Sequence, residues 1–376
     1  MDTLLPILEQ PRAEEPQHVH YKVGVRRRTR QVNIGGVKVG GGAPISVQTM
    51  TKTKTDDIAG TVAQIRAAAN EGCDIVRVTV NDKEAAEAMA EIVRQSPIPV
   101  VADIHFNHVF ALKAIQANVA KVRINPGNIG SKDRIREVLT AAKDKGIPIR
   151  IGVNSGSLEE DILEKHGYPT AEALYESAMR HVGICDEFDF RDVIISVKST
   201  DVRLMIEAYR LVAARTDIPL HLGVTEAGLT RVGTIKSAVG IGTLLAEGIG
   251  DTIRVSLTDE PVKEVEVGKE ILCSLGLASR NIELIACPTC GRIEVDLFSI
   301  MAQLEERLKG VKKPVKIAVL GCVVNGPGEA SEADIVIAAG KGVAILYRKG
   351  EMIKRVKESE IVDTIVEEVA NFTPKV

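Results

Sequence analysis

Long apolar runs are absent from this chain of 376 residues, although 45% of its residues are hydrophobic. The apolar stretches are strand-sized, about five to eight residues, which is too short to cross a membrane. The opening residues, Met1 to Pro6, lack a basic segment followed by an apolar one, so we expect no secretory signal. These features predict a globular protein of the cytoplasm.

An excess of one charge is also absent, since 48 Lys and Arg stand against 51 Asp and Glu, a formal net charge of −3. Such a balance gives no general reason to expect nucleic acid or an anionic membrane as a partner. The local exception is a basic run, Arg26, Arg27, Arg28 and Arg30, at the end of a polar stretch. We interpret residues 1–30 as a solvated, partly disordered N-terminal extension.

Cysteine is scarce, with six in the whole chain, too few for a disulfide scaffold of this length. The spacing predicts metal ligands plus core thiols in a reducing cytosol. Cys73, Cys185 and Cys273 lie in apolar helix or strand contexts and are expected in the core. The chain also lacks a Walker A loop and a complete dinucleotide fingerprint.

Eight short β-branched runs, alternating with amphipathic helical patterns, dominate the middle of the chain. Strands that alternate with helices imply right-handed βαβ crossovers and a parallel sheet. Eight such units predict a (β/α)₈ TIM-type barrel, with an open doubly wound sheet as the alternative. The predicted strands cover about 45–49, 74–80, 98–104, 120–125, 147–153, 193–198, 218–224 and 252–257.

The pattern changes after a helix predicted at about Val262 to Leu277. Strands and helices then follow without barrel periodicity, which predicts a small α+β domain whose cysteines stand at strand ends. We therefore assign 31–280 to the barrel and 281–376 to this small α+β domain.

Polar side chains recur at the predicted C-terminal ends of the barrel strands, where barrel active sites lie. Within each strand these residues share a parity and alternate with Val or Ile, so they face one way. They are Gln48, Arg77, Thr79, Asp103, His105, Arg123, Asn125, Arg150, Asn154, Ser196, Lys198, His221, Arg254 and Ser256, with Glu226 just beyond the seventh strand.

The charge of this set is unbalanced. A single arginine that faces the interior is often a structural residue in an ion pair with an acid, because buried charge is costly unless it is paired. Here four arginines and Lys198 converge, while only Asp103 and Glu226 are available to pair with two of them. The remaining cations require an anion, most simply a diphosphate held by arginine forks.

Near the C-terminus, Cys287, Cys290, Cys322 and Glu329 form a second constellation. Three thiolates and one harder oxygen ligand suit an iron–sulfur cluster in which one iron can exchange its ligand. A zinc knuckle and a redox dithiol stay open as alternatives, although neither Cys nor His occurs in 292–321 to complete a zinc ribbon. Without its neighbours, Glu329 would be interpreted as a solvated carboxylate after an ordinary turn.

Over residues 31–373 the chain resembles the bacterial 4-hydroxy-3-methylbut-2-enyl diphosphate synthase family (IspG/GcpE), in its two-domain form. The resemblance rests on seven motifs, which begin at Pro44 (PISVQTMT), Ala102 (ADIHF), Arg123 (RINPGN), Arg150 (RIGVNSGSL), Gly223 (GVTEAG), Cys287 (CPTCGR) and Cys322 (CVVNGPGEA).

The resemblance implies a [4Fe–4S] cluster on Cys287, Cys290, Cys322 and Glu329. It also implies reductive ring opening of 2-C-methyl-D-erythritol 2,4-cyclodiphosphate in the methylerythritol phosphate route to isoprenoids, with electrons from flavodoxin or ferredoxin. By resemblance, the diphosphate is held by Arg77, Arg123, Arg150, Lys198, Arg254 and Ser256. Gln48, Asp103, His105, Asn125, Asn154 and His221 complete the expected substrate set, and Glu226 is the expected general acid.

Chain topology predicts a head-to-tail homodimer. The helix after strand eight runs back by about 24 Å, and the four-residue link to the next domain returns at most about 14 Å. The second domain therefore starts far from its own barrel mouth and is expected to cover a partner's. A zinc-dependent hydrolase or lyase, and a non-enzymatic iron–sulfur carrier or sensor, are the alternative functions.

Overall fold

The structure, a computed structural model, describes residues 25–124, 129–322, 324 and 333–373. The chain divides into two compact units, and the boundary lies between Leu277 and Ala278. Among the described residues, every helix is too short or too polar to span a membrane.

The first unit follows the predicted alternation of strands and helices. Its strands are β1 (Gln31–Ile34), β2 (Val37–Gly40), β3 (Ser46–Met50), β4 (Ile75–Val80), β5 (Val100–Ile104), β6 (Lys121–Ile124), β7 (Ile149–Asn154), β8 (Val193–Lys198), β9 (His221–Leu222) and β10 (Thr252–Ile253). Its helices are α1 (Ile58–Asn70), α2 (Lys83–Gln95), α3 (His108–Gln116), α4 (Lys132–Asp144), α5 (Glu160–His166), α6 (Ala171–Glu187), α7 (Val202–Arg215), α8 (Thr230–Ala246) and α9 (Pro261–Ser274).

Strands β3 to β10 form one eight-stranded sheet in the order β8-β7-β6-β5-β4-β3-β10-β9, and neighbouring strands are parallel. A parallel bridge between Ile195 and Leu220 joins the two edge strands, and the Ile195 N–H donates to the Pro219 carbonyl over 3.0 Å. The sheet thereby closes. The predicted TIM-type barrel is confirmed, and the open doubly wound sheet is excluded.

The helices pack outside the barrel through one apolar face each. In α2, Ala85, Met89 and Ile92 are buried at the spacing of successive helical turns. Asp82 begins this helix by accepting a hydrogen bond from the Ala85 N–H over 2.7 Å, which satisfies one of the free N–H groups of the first turn. This short junction between β4 and α2 leaves the strand's C-terminal end free to carry functional side chains.

Strands β1 and β2 form an antiparallel hairpin that the sequence analysis missed. Gly35 and Gly36 make its two-residue turn with φ of +56° and +99°, backbone angles that favour glycine. The hairpin buries three side chains against inward-facing residues of three barrel strands: Val32, Ile34 and Val39 against Ile75, Val101 and Ile194. It therefore covers the N-terminal end of the barrel.

The basic run before this hairpin is docked on the barrel, so the prediction of a solvated run is wrong for Arg26 and Arg27. The guanidinium of Arg26 pairs with the buried Asp251 at 3.0 Å. Arg27 donates to three backbone carbonyls that follow or end α7, those of Ala213, Thr216 and Ile218. Such bonds satisfy carbonyls that the end of a helix leaves free.

The second unit is a mixed α+β domain, as predicted. It contains β11 (Ile282–Ala286), α10 (Leu297–Arg307), β12 (Val315–Leu320), β13 (Ile335–Gly340), β14 (Val343–Arg348), β15 (Glu351–Lys357) and α11 (Ile361–Asn371). The strands lie in chain order in one sheet, in which β11, β12 and β13 are parallel and the last two pairings are antiparallel. Both helices contribute to one apolar core with the sheet.

Candidate active site

A polar cavity of about 150 Å³ lies at the C-terminal ends of the barrel strands. Nine of the predicted substrate residues line it: Arg77, Asp103, His105, Arg123, Arg150, Asn154, Lys198, Arg254 and Ser256. Ser196, which the strand-end pattern also contains, and Val224 and Thr225, which it does not, complete the wall. The shared parity of these residues brings them together, because alternate side chains of each strand point into the barrel.

Asp103 is the acid around which the cavity's cations gather. Its carboxylate lies 3.2 Å from Arg123 Nη1 and 3.6 Å from Arg77 Nε. Burial alone would raise the pKa of Asp103. The charges of Arg77, Arg123 and Arg150, with a hydrogen bond from His105, hold that pKa well below its ordinary value instead. Asp103 is therefore ionised throughout the physiological range.

The position of the Arg123 guanidinium at the cavity wall depends on a glycine, Gly152, in the neighbouring strand β7. Arg123 Nη2 donates to the Gly152 carbonyl over 2.9 Å. A Cβ at position 152 would stand 2.5 Å from Arg123 Nε, closer than real side chains come. Gly152 thus makes room for the guanidinium at the cavity wall.

Among the described residues, Arg150 and Lys198 have few or no hydrogen-bond or ion-pair partners to compensate for their burial. Arg150 is 1% exposed and donates through Nη1 to Ser196 Oγ over 3.0 Å, while its Nε and Nη2 bond to no described residue. The side chain of Lys198, at 6% exposure, forms no hydrogen bond or ion pair with any described residue. Burial and the neighbouring guanidinium groups lower the pKa of both side chains. The cavity is thus built for a ligand that brings negative charge.

Arg254 is paired with Glu264, an acid that the sequence analysis did not name. Glu264 lies fully buried in the first turn of α9, 3.2 Å from Arg254 Nη2, and it also accepts from Thr49 Oγ1 over 2.7 Å. The expectation that Glu226 would be the second pairing acid is therefore wrong. The sequence did contain a signal for this acid. Glu264 lies on the buried face of its helix with Val265 and Gly268, and a glutamate on such a face is expected to have a buried partner.

Glu226 lies on the loop after β9 and is exposed. Its φ is +49°, a left-handed backbone that is uncommon outside glycine. The preceding residue, Thr225, lines the cavity, so Glu226 stands next to its wall without being part of it. Its role as general acid stays a prediction.

Besides Glu226 and the cysteines of the second unit, five of the predicted residues lie outside the cavity wall or outside the described residues. Thr79, on β4, is half-buried and does not line the cavity. Gln48 and His221 are both fully buried, in the barrel interior, and do not line the cavity. Asn125 and Glu329 lie outside the described residues. Lys121, two residues before Arg123 on the same inward face of β6, is fully buried and was missed, although its parity was a usable signal.

The three predicted cysteine ligands lie in the second unit, near the ends of neighbouring strands. Cys287 follows β11, and Cys322 follows β12, which pairs with β11 in parallel, so both leave the sheet at the same edge. The Gly321 N–H donates to Cys287 Sγ over 3.3 Å, a bond that stabilises a thiolate. Cys290 is exposed, at the end of a turn in which Thr289 has a φ of +55°.

These cysteines differ from the remaining thiols. Cys73 and Cys185 are buried, and burial raises the pKa of each to about 12, so they stay protonated and unsuited to bind a metal. Cys273 is half-buried. Among the described residues, no group of three or more His, Cys, Asp and Glu side chains is close enough to hold a metal ion.

The fold and site define a class: a (β/α)₈ barrel protein with a cationic mouth, followed by a small domain that presents three thiols. Two family models match the chain, the GcpE TIM-barrel domain over residues 29–269 and the GcpE protein C-terminal domain over residues 283–371. The chain belongs to the GcpE family.

Its relatives include three proteins named 4-hydroxy-3-methylbut-2-en-1-yl diphosphate synthase (flavodoxin). The one from Clostridium perfringens is 57% identical over 341 residues, 91% of this chain and 98% of the relative. The one from Symbiobacterium thermophilum is 56% identical, over 91% of this chain and 92% of the relative. The one from Aquifex aeolicus is 54% identical, over 92% and 97%.

Proposed function

We propose that this chain converts 2-C-methyl-D-erythritol 2,4-cyclodiphosphate into (E)-4-hydroxy-3-methylbut-2-enyl diphosphate, a reductive ring opening with loss of water in the methylerythritol phosphate pathway. The observation that carries this function is identity of 54–57%, over nine-tenths of the chain, to synthases of that product. The cationic cavity supports the same conclusion independently, because it requires a ligand with several negative charges.

The reaction adds two electrons and breaks two C–O bonds. One bond joins a carbon to an oxygen of the diphosphate, which stays attached to the product through its other end and gains one negative charge. The other joins the neighbouring carbon to a hydroxyl, which takes a proton and leaves as water. The two carbons that lose oxygen form the double bond of the product. Because negative charge grows on the diphosphate, Arg123, Arg150 and Lys198 stabilise the transition state and product more than the substrate. The cavity therefore contributes to rate as well as affinity.

The proposed cofactor is a [4Fe–4S] cluster held by Cys287, Cys290, Cys322 and Glu329. The thiol set fits it, since Gly321 already donates an N–H bond to Cys287 Sγ and since three thiolates with one oxygen ligand leave one iron exchangeable. When bound, the cluster supplies the two electrons one at a time. Within this proposal, residues 31–280 bind the substrate and residues 281–376 hold the cluster.

Glu226 is the proposed proton donor for the departing hydroxyl. Its position beside Thr225, at the cavity rim, supports this role, since a donor for the leaving group has to reach the substrate from the open side. Glu226→Gln should lower kcat by about 10²-fold or more with little change in substrate affinity. Full turnover of this variant would overturn the role.

The electron donor is proposed to be flavodoxin, which the relatives' names contain, with ferredoxin as the alternative. Both donors and the reducing conditions that cluster thiolates need support a cytoplasmic location.

We also propose that the enzyme is a head-to-tail homodimer. Helix α9 supports this arrangement because it carries the chain away from the cavity toward the base of the barrel, where Lys269 Nζ donates to the Glu71 carbonyl at the end of α1. Mixing a Cys322→Ser subunit with a Glu226→Gln subunit should restore part of the activity, because one of the two sites in such a dimer has both intact residues. Verified heterodimers without activity would contradict the arrangement.

The function is tested with protein purified anaerobically. Iron and sulfide should each approach about four per chain, and the EPR signal of the reduced protein should change when the cyclic diphosphate is added. Turnover with reduced flavodoxin should yield the open diphosphate. Stoichiometric zinc in protein kept anaerobic and iron-replete would overturn the proposal.

A further inference from the structure

Lys121 is a fully buried lysine inside the barrel that does not line the cavity. Its Nζ donates to Gln48 Oε1 over 3.4 Å. The two residues belong to β6 and β3, which are separated in the sheet by β4 and β5, so the bond crosses the barrel interior. Lys121 therefore lies below the cavity floor, on the axis of the barrel.

The protein offers no counter-charge to Lys121. Among the described residues it forms no ion pair, and its hydrogen bond to a neutral amide is long. A buried ammonium without a carboxylate partner is strongly disfavoured. Burial first, and then the charges of Arg150 and Arg77, lower the pKa of Lys121 well below that of a free lysine.

Several other groups face the same interior. Arg77 lies on β4, Asp103 on β5, Arg123 on β6, Arg150 on β7, Lys198 on β8 and His221 on β9, and Arg254 directly follows β10. Asp103 is already shared between Arg77 and Arg123, and Glu264 is held by Arg254. Neither acid is left to pair with Lys121. His221 is fully buried, and neither of its ring nitrogens has a hydrogen-bond partner among the described residues.

We propose that Lys121 is a positioning residue of the anion site, uncharged when the barrel is empty and protonated when a polyanion binds at the mouth. The bound anion supplies the negative potential that the protein lacks, so the interior can then carry one more positive charge. Lys198, at the cavity wall, takes up a proton in the same event. Binding of the anion thus adds positive charge to the site and strengthens its own attraction to it. The added positive charge also stabilises the extra negative charge of the opened diphosphate. This part of the inference rests on the proposed function.

The test measures protons taken up on binding, by isothermal titration calorimetry of the anaerobic holoenzyme in buffers of different ionisation enthalpy. Two ligands are used, the cyclic diphosphate and inorganic trimetaphosphate, because every phosphoryl group in these rings keeps one strongly acidic oxygen and does not titrate near neutral pH. We expect wild-type protein to take up between about one and two protons between about pH 6 and 9. The affinity should fall as pH rises through this range.

Lys121→Met isolates the contribution of this lysine. The variant should take up about one proton fewer than wild-type protein and bind both anions about tenfold more weakly, although its side chain does not line the cavity. Lys145→Met is the matched control, since Lys145 is at the base of the barrel and donates to the carbonyls of Ile115 and Gln116. Its proton uptake and affinity should equal those of wild-type protein.

Gln48→Glu is the second variant. A carboxylate beside Lys121 would hold the lysine protonated before any ligand arrives, so proton uptake should again fall by about one. Proton uptake equal to that of wild-type protein in the folded Lys121→Met variant would overturn the proposal. If wild-type protein binds the anions but takes up no protons, that result alone overturns the proposal for Lys121, while the proposed function remains intact. Failure of the holoenzyme to bind either anion would overturn both.

Discussion

The guanidinium of Arg254 and the carboxylate of Glu264 face each other across 3.2 Å, one at the cavity wall and the other fully buried behind it. Glu264 also accepts from Thr49 Oγ1 and from the Leu257 N–H. The first turn of α9, the last barrel helix, therefore fixes a cavity arginine that directly follows the last barrel strand, β10. This link makes the helix part of the site.

Replacing Glu264 by glutamine should destabilise the fold and weaken substrate binding together. The change leaves Arg254 as an uncompensated buried charge, which costs about 3–5 kcal/mol in the free energy of unfolding. Urea denaturation and the substrate KM measure the two effects. The control is Glu266→Gln on the same helix, where the partner Lys263 is half-exposed and the loss of stability should be small, because solvent screens the pair. Equal stabilities of the two variants would contradict the role of Glu264.

Gly152→Ala should disturb substrate binding with little effect on the rest of the barrel. The new methyl group would displace the Arg123 guanidinium, whose Nε lies 2.5 Å from the Cβ position. We expect KM for the cyclic diphosphate to rise about tenfold, equivalent to about 1.4 kcal/mol. Gly156→Ala is the matched control, because a Cβ there meets no atom within 4 Å. The prediction fails if the two variants share one KM.

Lys121→Met should raise stability near neutral pH. The pKa of Lys121 is lower in the folded than in the unfolded protein, so between these two values the unfolded chain holds a proton that the folded chain lacks. The resulting penalty on folding is absent above the unfolded pKa of about 10.4 and grows as pH falls. The variant's advantage, about 1–3 kcal/mol at neutral pH, should therefore shrink toward pH 10. Denaturation at three pH values measures it, and a pH-independent difference would count against an uncharged lysine.

Cys287→Ala and Cys185→Ala should differ in bound iron. The first removes a proposed cluster ligand that already accepts the Gly321 N–H bond. The second removes a buried thiol whose pKa of about 12 keeps it protonated. Anaerobically purified Cys287→Ala protein should lose most of its iron and sulfide, while Cys185→Ala should keep the wild-type content. Wild-type iron in the first variant would exclude Cys287 as a ligand.

Strand parity predicts the cavity wall well, because a barrel strand can place only alternate residues inside. It does not predict depth. Gln48 and His221 share the inward parity of Arg77 and Lys198, yet they lie below the cavity, since depth depends on the stagger between neighbouring strands.

Strand parity also does not predict which acid forms an ion pair with a cavity arginine. The acid beside Arg254 is Glu264, which comes from a helix, and strand patterns hold no information about it. The N-terminal hairpin was predictable in principle. Alternating residues on both sides of Gly35-Gly36 are typical of a two-residue β-turn, and the polar composition of the preceding residues concealed this local signal.

The β1–β2 hairpin at the base of the barrel affects how ligands enter and leave the cavity. In the part of the chain that the structure describes, Val32, Ile34 and Val39 pack across the far end of the barrel. We therefore expect the substrate and product of the proposed reaction to enter and leave through the same open end of the cavity. Both carry a diphosphate, so both are expected to bind the same cations. Accumulated product should then compete directly with substrate.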